Sequence, residues 1–154
     1  MSRLDNLRII FQNQDDKKLI KNYYNFNDNI SFIIPGSGIN LNEYAFKKLE
    51  KKANINFLFA SRLLVDKGLT EYIKASQKIL DEGHKVTFTI IGELDKSNPS
   101  MVNFKIIKKW VDNKSKFFDN FQIDVKKFIQ NSDVVVLPSY REGYPKVLTE
   151  ASAI

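Results

Sequence analysis

The sequence contains no cysteine and a single histidine among its 154 residues. Without cysteine the chain has neither a thiol nucleophile nor cysteine-ligated metal sites, and a reducing compartment is expected. The histidine, His84, falls in a predicted turn, and we expect a structural or solvent-exposed role for it. The remaining composition, with 43% hydrophobic and 27% charged residues, excludes disordered, collagenous and disulfide-stapled classes.

Long apolar runs are also missing. The best stretches, Val86–Ile91 and Val134–Leu137, have the length of strands and fall far short of the roughly eighteen residues that a membrane helix needs. The N-terminal residues Met1–Arg8 lack the uninterrupted apolar segment of a secretory signal. We therefore expect a soluble chain in a cytoplasmic location, with one core of ordinary size and part of a second lobe.

Positive charge is in excess, with 24 basic residues against 18 acidic ones and a formal charge of +6. Many lysines occur in pairs, such as Lys17-Lys18, Lys108-Lys109 and Lys126-Lys127. Because neither aromatic residues nor arginines cluster with them, we interpret these pairs as solvated helix faces and predict no nucleic-acid partner. A membrane surface or an anionic substrate would still experience the positive field.

Two short strands and a helix precede the main body of the chain. The strands are predicted over Arg8–Gln12 and Ile30–Ile34, and the helix over Asp15–Tyr24. The second strand is ended by Pro35-Gly36-Ser37-Gly38. This glycine-rich segment is the best candidate for a hinge or linker.

From Glu43 onwards the hydrophobic pattern alternates between strand and helix periods. The pattern predicts buried strands over Ile55–Ala60, Val86–Ile91 and Asp133–Leu137, and a weaker strand near Phe117-Phe118. Such strands, separated by helices, indicate a parallel sheet covered on both faces. The predicted fold class is therefore α/β, a doubly wound, Rossmann-like parallel sheet.

Four helices are predicted in this region: over Leu69–Leu80 with a stop at Gly83, from Asn98-Pro99, over Asp124–Ile129, and from near Pro145. Trp110 is in phase with Val102 and Ile106 on the second of them, so we predict that it is a core anchor rather than a ligand-stacking residue.

The first candidate site loop follows the strand that ends at Ala60. In open parallel sheets, ligands bind beyond the carboxyl ends of the strands. This loop carries Arg62 and Lys67 ahead of a helix N-terminus, where backbone N–H groups and the helix dipole favour an anion. We predict a diphosphate as the ligand rather than two unrelated surface charges. Arginine is scarce in this chain, and Arg141 lies in the second candidate loop.

The second candidate loop, Pro138–Pro145, connects the last strand to the last helix. Gly143 allows close approach of the backbone to a ligand, and Glu142 falls at the mouth of the crevice. Glu150 lies about one and a half turns into the helix. The two carboxylates are positioned to hydrogen-bond two sets of sugar hydroxyls, although unrelated carboxylates have the same spacing in many sequences.

A third loop, after Ile91, carries Glu93 and Asp95 and faces the same edge of the sheet. One such pair without further ligands is too few for a metal ion. We therefore expect loop and capping roles for both residues, and no metal site.

The sequence resembles family 4 (group 1) of the retaining, nucleotide-sugar-dependent glycosyltransferases, which have the GT-B fold. The resemblance is carried by two motifs: Ser61-Arg62 with Asp66-Lys67-Gly68, and Pro138-Ser-Tyr-Arg-Glu-Gly-Tyr-Pro145 with Glu142-x7-Glu150. The resemblance runs from about Ile9 to the last residue. The Pro-Ser-Tyr-Arg-Glu-Gly variant is similar to that of bacterial enzymes that build capsule, O-antigen or lipid-linked oligosaccharides. Departures from the pattern are Ser61, where glycine is common, and Asp119-Asn120 in place of a glycine.

The resemblance implies a role for each matching residue. Arg62 and Lys67 match the basic pair that holds the donor diphosphate, in a fold whose catalysis needs no bound metal or other cofactor. Glu142 matches the acidic residue near the donor sugar, and Glu150 the carboxylate that binds the ribose hydroxyls. The implied catalytic residues are Glu142, Arg62 and Lys67, and the implied donor-binding residues are Arg62, Lys67, Gly143, Tyr144 and Glu150.

The resemblance also implies a domain organisation. Residues 1–34 would be the tail of the N-terminal acceptor-side lobe, residues 35–42 the interdomain connection, and residues 43–154 a truncated, C-terminal nucleotide-sugar donor-binding domain. Because Thr149–Ile154 is helical to its last residue without a C-cap, we expect a fragment of a larger protein that is inactive by itself.

The implied activity is transfer of a hexose or N-acetylhexosamine from a nucleotide sugar, with UDP as the expected nucleotide and with retention. The expected acceptor is lipid-linked or a polysaccharide, in bacterial surface-glycan synthesis, with peripheral association at the inner face of the membrane. Two alternatives stay open. One is a GT-B nucleotide-sugar epimerase, and the other is an inactive nucleotide-sugar-binding remnant.

Overall fold

The computed structural model describes residues 7–46, 53–112, 114–120 and 124–154. Residues 1–6 of the predicted tail, and residues 47–52, 113 and 121–123 of the predicted donor-binding domain, lie outside these ranges. The chain divides into two compact units, Met1–Ile39 with Glu142–Lys146 and Asn40–Arg141 with Val147–Ile154. The predicted functional assignment of the three domain segments stays a prediction.

The smaller unit contains a two-stranded parallel sheet and one complete helix. β1 (Ile9–Phe11) pairs with β2 (Ser31–Ile33), and α1 (Gln14–Tyr23) lies between them in the chain. Asn13 caps this helix, because its Oδ1 accepts a hydrogen bond from the backbone N–H of Asp16 at 2.7 Å. The two strands and the helix predicted for this segment are confirmed.

The larger unit is built on four parallel strands: β3 (Ile55–Ala60), β4 (Val86–Gly92), β5 (Lys116–Asn120) and β6 (Val134–Val135). Their spatial order is β5-β4-β3-β6, and each neighbouring pair is parallel. Strand order therefore differs from chain order, as a sheet wound in two directions from its centre requires.

Four helices accompany this sheet: α2 (Leu69–Asp81), α3 (Phe104–Trp110), α4 (Val125–Asn131) and α5 (Lys146–Ala153). Phe59 and Ile90 pack in a core cluster with residues of α2 and α3. Leu58 and Ile91, their neighbours in the strands, pack in a second cluster with residues of α4 and α5. Successive strand residues point to opposite faces, so both faces of the sheet are covered. The predicted doubly wound α/β fold is confirmed.

Trp110 joins α3 to α2 through a buried hydrogen bond. Its indole N–H donates to the hydroxyl of Ser76 at 2.8 Å, and the two residues are 5% and 0% exposed. The Ser76 hydroxyl in turn donates to the carbonyl of Ile73 at 2.8 Å. The predicted role of Trp110 as a core anchor is confirmed.

We expect Ser76→Ala to lower the free energy of unfolding by about 1–3 kcal/mol, because it leaves the Trp110 N–H buried without this acceptor. Urea denaturation followed by circular dichroism measures the loss. In a Trp110→Phe background, which has no indole N–H, the same substitution should be clearly less destabilising. An equal loss in both backgrounds would contradict the assigned hydrogen bond.

The helix predicted to open at Asn98-Pro99 begins instead at Phe104. Asn103 is its cap, since its Oδ1 accepts a hydrogen bond from the backbone N–H of Lys105 at 3.0 Å. Asn98 forms a turn of its own and accepts a hydrogen bond from the backbone N–H of Ser100 at 2.9 Å. The prediction of this helix start was wrong because the Asn-Pro pair is as good a turn signal as a cap signal.

A backbone contact explains why the helix starts late and why its buried face is shifted. The N–H of Val102 donates to the carbonyl of Leu63 at 2.9 Å, which holds Val102 in the core but outside the helix. In the helix itself, Ile107 is fully buried whereas Ile106 is 45% exposed. The predicted phase was therefore right for Trp110 and wrong for Ile106.

The last predicted strand, over Asp133–Leu137, is shorter and less buried than expected. Only Val134–Val135 is strand, and Val134 is 39% exposed. The reason is that, among the strands that the structure describes, it lies at the edge of the sheet and pairs only with β3. An apolar run in the sequence does not distinguish an edge strand from a central one.

The opposite end of the sheet, where β4 begins, has the predicted features. Gly83 follows the end of α2 in the left-handed conformation, with φ of 85°. His84 is exposed, and its Nε2 lies 3.5 Å from a carboxylate oxygen of Glu82. The expected solvent-exposed role of His84 is confirmed.

Candidate functional site

The loop after β3 is held closely against the carboxyl end of β4. The N–H of Ser61 donates to the carbonyl of Ile91 at 3.2 Å, and the N–H of Leu63 donates to the carbonyl of Glu93 at 3.1 Å. A side chain at Gly92 has no room, because its Cβ would lie 2.0 Å from the carbonyl oxygen of Ser61. The start of this loop is therefore fixed by two strands at once.

Arg62 extends from this fixed backbone into solvent and is paired with a carboxylate from the neighbouring loop. Its Nη1 lies 3.4 Å from Oδ2 of Asp95, and 56% of the arginine side chain is exposed. The hydroxyl of Ser97 donates to Asp95 Oδ1 at 2.7 Å. This bond, together with the nearby charge of Arg62, lowers the pKa of Asp95, which is therefore ionised and able to orient the guanidinium.

Asp95 has the loop role expected from the sequence, and its contact with Arg62 is an addition that the sequence did not predict. Glu93 contributes its backbone carbonyl to the loop after β3. In the described ranges, no three His, Asp or Glu side chains cluster closely enough to hold a metal ion. Within the same ranges, no helix combines the length and the apolar character needed to cross a membrane.

Lys67 lies at the end of a single 3₁₀ turn, Val65–Lys67, directly before Gly68. Gly68 has φ of 75°, which reverses the chain into α2. Lys67 is half-buried, whereas Asp66 is exposed. The two predicted cations, Arg62 and Lys67, thus belong to one loop that ends at the N-terminus of a 13-residue helix.

The second candidate loop is hydrogen-bonded to the first. The carbonyl of Asp66 accepts from the backbone N–H of Tyr140 at 3.0 Å and from the hydroxyl of Ser139 at 3.1 Å. Gly68 touches the same loop, because a Cβ there would lie 2.0 Å from the carbonyl oxygen of Pro138. The two loops predicted to carry the site therefore meet at the carboxyl end of the sheet.

A side-chain bond strengthens this junction. The hydroxyl of Tyr140 donates to Oε1 of Glu71 at 2.8 Å, and Glu71 lies in the first turn of α2. The hydrogen bond to Glu71 raises the pKa of Tyr140, because it stabilises the protonated phenol next to a negative charge. Sequence reasoning missed both residues, although Tyr140 is part of the motif in the second loop.

Glu150, the predicted ribose-binding residue, lies on α5 and is 6% exposed. Its Oε1 accepts a hydrogen bond from the hydroxyl of Tyr44 at 2.8 Å. Burial, reinforced by the bond to Glu150, raises the pKa of Tyr44 to about 12. Tyr44 was not predicted as a site residue, and no local signal in the sequence distinguishes it from the other tyrosines.

Glu142, Gly143 and Tyr144 belong to the smaller unit. The side-chain amide of Asn13 donates to the backbone carbonyls of Glu142 and Gly143 at 3.2 and 3.1 Å. The ring of Tyr144 lies against Gly36, where an added Cβ would be 2.2 Å from a ring carbon. This part of the motif is therefore packed by the helix cap of α1 and by the glycine-rich segment.

Comparison with known proteins gives a consistent picture. The profile of the family described as "Glycosyl transferases group 1" matches residues 40–154. An N,N'-diacetylbacillosaminyl-diphospho-undecaprenol alpha-1,3-N-acetylgalactosaminyltransferase of Campylobacter jejuni is 28% identical, over 95% of this chain and 40% of its own length. The capsular polysaccharide biosynthesis glycosyltransferase CapM of Staphylococcus aureus is 29% identical, over 70% of this chain and 28% of its own length. The chain thus spans less than half of these curated relatives.

Among solved structures, Alr3699/HepE of Anabaena in complex with UDP-glucose has a similar fold. It superposes with a TM-score of 0.72 at 18% identity, covering 95% of this chain and 42% of the other.

Proposed function

The chain belongs to the group 1 glycosyltransferase family. We propose that it contributes the donor site of a bacterial enzyme that transfers a hexose or N-acetylhexosamine from a UDP-linked sugar donor. The transfer would proceed with retention to a lipid-linked or polysaccharide acceptor in surface-glycan synthesis. The fold is Rossmann-like and of the GT-B type. The names of the two bacterial relatives support the glycan context, and the UDP-glucose complex of the Anabaena protein supports the choice of nucleotide.

The observation that carries the proposal is the junction of the two loops. Two hydrogen bonds to the Asp66 carbonyl place the backbone of Tyr140 beside the loop that carries Arg62 and Lys67. This junction lies at the carboxyl end of a parallel sheet and at a helix N-terminus, where phosphates bind in such folds. The ligand best suited to two cations and a helix dipole is a diphosphate.

In the proposed reaction, Arg62 and Lys67 stabilise the leaving group. As the bond between the sugar and the diphosphate breaks, negative charge increases on the phosphate oxygens, and preorganised cations stabilise that state more than the ground state. Glu142, with the backbone of Gly143 and Tyr144, is assigned to the donor sugar. Glu150 is assigned to the ribose hydroxyls, since a carboxylate accepts hydrogen bonds from both.

The proposal includes no metal ion and no further cofactor, because the two cations take the role of charge stabilisation. A lipid-linked acceptor would place the enzyme at the inner face of the membrane, with this part of the chain in the cytoplasm. The excess of basic residues is consistent with attraction to such an anionic surface.

We expect UDP to raise the unfolding temperature of the full-length protein, while uridine, which lacks the diphosphate, leaves it almost unchanged. At about one hundred times its dissociation constant, a ligand stabilises the folded state by about 2.7 kcal/mol. Thermal unfolding with each compound measures the difference. Equal effects of UDP and uridine would contradict the diphosphate assignment.

Turnover of UDP-sugars then separates the candidate activities. A transferase releases UDP only when an acceptor is added. Interconversion of two UDP-sugars without an acceptor would identify an epimerase, and a folded protein that does not bind UDP would identify a remnant.

A further inference from the structure

Tyr44 contacts the carboxylate that the proposed function assigns to the ribose. Its hydroxyl donates to Oε1 of Glu150 at 2.8 Å, and Glu150 is 6% exposed. A buried carboxylate needs hydrogen-bond donors to be stable in its charged form. A donor on one oxygen also restricts rotation of the carboxylate and so fixes the direction of its lone pairs.

A compact turn holds the backbone of Tyr44 in place. The carbonyl of Asn40 accepts from the N–H groups of Glu43 and Tyr44 at 3.0 and 3.2 Å. The Asn40 side chain completes the turn, since its Oδ1 accepts from the N–H of Asn42 at 3.1 Å and its amide donates to Glu43 at 2.8 Å. Asparagine suits this position because its side chain bonds to the backbone two residues ahead.

The ring of Tyr44 is held from a second direction. Nζ of Lys126, on α4, lies 5.8 Å from the ring centroid, within the range of a cation–π contact. The hydroxyl end of the same ring contacts Glu150 on α5. Tyr44 therefore connects the turn at residues 40–44 with two helices of the larger unit.

The phenol is a hydrogen-bond donor over the whole physiological pH range. Burial first, then the bond to Glu150 and the charges of Glu43 and Asp124, raise the pKa of Tyr44 to about 12. Among the described residues, Lys126 is a basic group that faces the ring. Tyr44 therefore keeps the proton that it donates to Glu150 at neutral pH.

We propose that Tyr44 is a positioning residue that holds the Glu150 carboxylate in the orientation that receives the ribose hydroxyls, and thereby sets the affinity of the site for a nucleoside diphosphate. This inference rests on the proposed function, in which Glu150 binds the ribose. A carboxylate has about four acceptor positions, so a bond to Tyr44 does not by itself prevent bonds to ribose hydroxyls.

The test compares UDP with 2′,3′-dideoxy-UDP by titration calorimetry of the full-length protein. Tyr44→Phe should weaken UDP binding by about three- to tenfold, as expected for one misdirected hydrogen-bonding group. Binding of the dideoxy compound should be the same in both proteins to within about twofold, because it has no hydroxyls to bind. The KM for the donor should rise with the loss of UDP affinity, while kcat is unchanged, since the ribose lies away from the reacting bond.

Tyr23→Phe is the matched control, because Tyr23 is a 75% exposed tyrosine on α1, and it should bind both nucleotides as the unsubstituted protein does. Asn40→Ala, which loosens the turn but keeps the phenol, should give the same pattern as Tyr44→Phe with a smaller amplitude. This variant replaces Tyr44→Phe in the test if the latter does not fold.

Glu150→Gln separates the two levels of the proposal. If Glu150→Gln weakens UDP binding and Tyr44→Phe does not, the positioning role is overturned and the proposed function stands. Equal weakening of UDP and the dideoxy compound by Tyr44→Phe would indicate a general structural loss and would also overturn it. If the unsubstituted protein binds both nucleotides equally, the ribose assignment of Glu150 fails, and the role of Tyr44 fails with it.

Discussion

Arg62→Ala is expected to lower the kcat of the proposed transfer from a UDP-sugar donor, measured on the full-length protein, by about a hundredfold to a thousandfold. The guanidinium contacts Asp95 at 3.4 Å and extends from a loop whose backbone is fixed by two strands, so its range of positions is restricted before the donor binds. In the proposed reaction, a cation at this position would act most strongly on the charge that develops on the departing diphosphate. Steady-state kinetics of UDP release in the presence of acceptor measures the effect.

Three further variants make this experiment specific. Lys85→Ala removes an exposed cation from the turn before β4, at the other end of the sheet, and should leave kcat unchanged. Arg62→Lys keeps the positive charge but lacks the planar guanidinium. Its kcat should lie between those of Arg62→Ala and Lys85→Ala. Asp95→Asn keeps Arg62 but removes the charge that orients it, so a loss smaller than that of Arg62→Ala is expected. An increase in KM with an unchanged kcat in Arg62→Ala would assign the residue to ground-state binding alone.

The central strands could be predicted from the sequence because their signal is complete within the strand. β3 and β4 are buried on both faces over their carboxyl halves, so Phe57–Ala60 and Ile90-Ile91 are apolar on both sides of the sheet and are followed by loop residues. Gly83 was predictable for a similar local reason, since a helix end in the left-handed conformation favours glycine. In all three cases the sequence and the tertiary structure favour the same conformation.

The errors occurred where a distant part of the chain determines the local structure. The bond between the Val102 N–H and the Leu63 carbonyl is not encoded by either neighbourhood, and it displaces the start of α3 from Asn98-Pro99. The exposure of Val134 depends in the same way on having no strand on its outer side among the described strands. Local patterns carry no information on such neighbours.

In the candidate site, too, features encoded locally were predicted and features set by distant contacts were missed. The rule for parallel sheets was sufficient to select the loops of Arg62 and Tyr140, which do meet. The contacts that orient the side chains were missed, because Arg62 and Asp95 are 33 positions apart and Tyr44 and Glu150 are 106 positions apart. A single sequence places residues on elements, but it does not pair residues across elements.

Gly68→Ala is expected to lower the free energy of unfolding by about 3 kcal/mol and to remove the thermal protection that the proposed function expects from UDP. Two separate effects contribute. Gly68 has φ of 75°, and an alanine there is strained by about 1–2 kcal/mol. Its Cβ would also lie 2.0 Å from the carbonyl oxygen of Pro138, so the loop that carries Ser139 and Tyr140 must move, with an overpacking loss of about 1–3 kcal/mol.

Two other glycines separate these effects in the same protein. Gly83 has φ of 85° and nothing within 4 Å of an added Cβ, so Gly83→Ala measures backbone strain alone, about 1 kcal/mol. Gly92 has no positive φ, but its Cβ would meet the Ser61 carbonyl oxygen at 2.0 Å, so Gly92→Ala measures the clash alone.

Denaturant unfolding gives the loss in free energy of unfolding for the three variants. The loss in Gly68→Ala should exceed that in Gly83→Ala by roughly the loss in Gly92→Ala. If Gly68→Ala is no worse than Gly83→Ala and retains protection by UDP, the two loops are not joined as the structure places them, and the geometry that supports the proposed function is wrong.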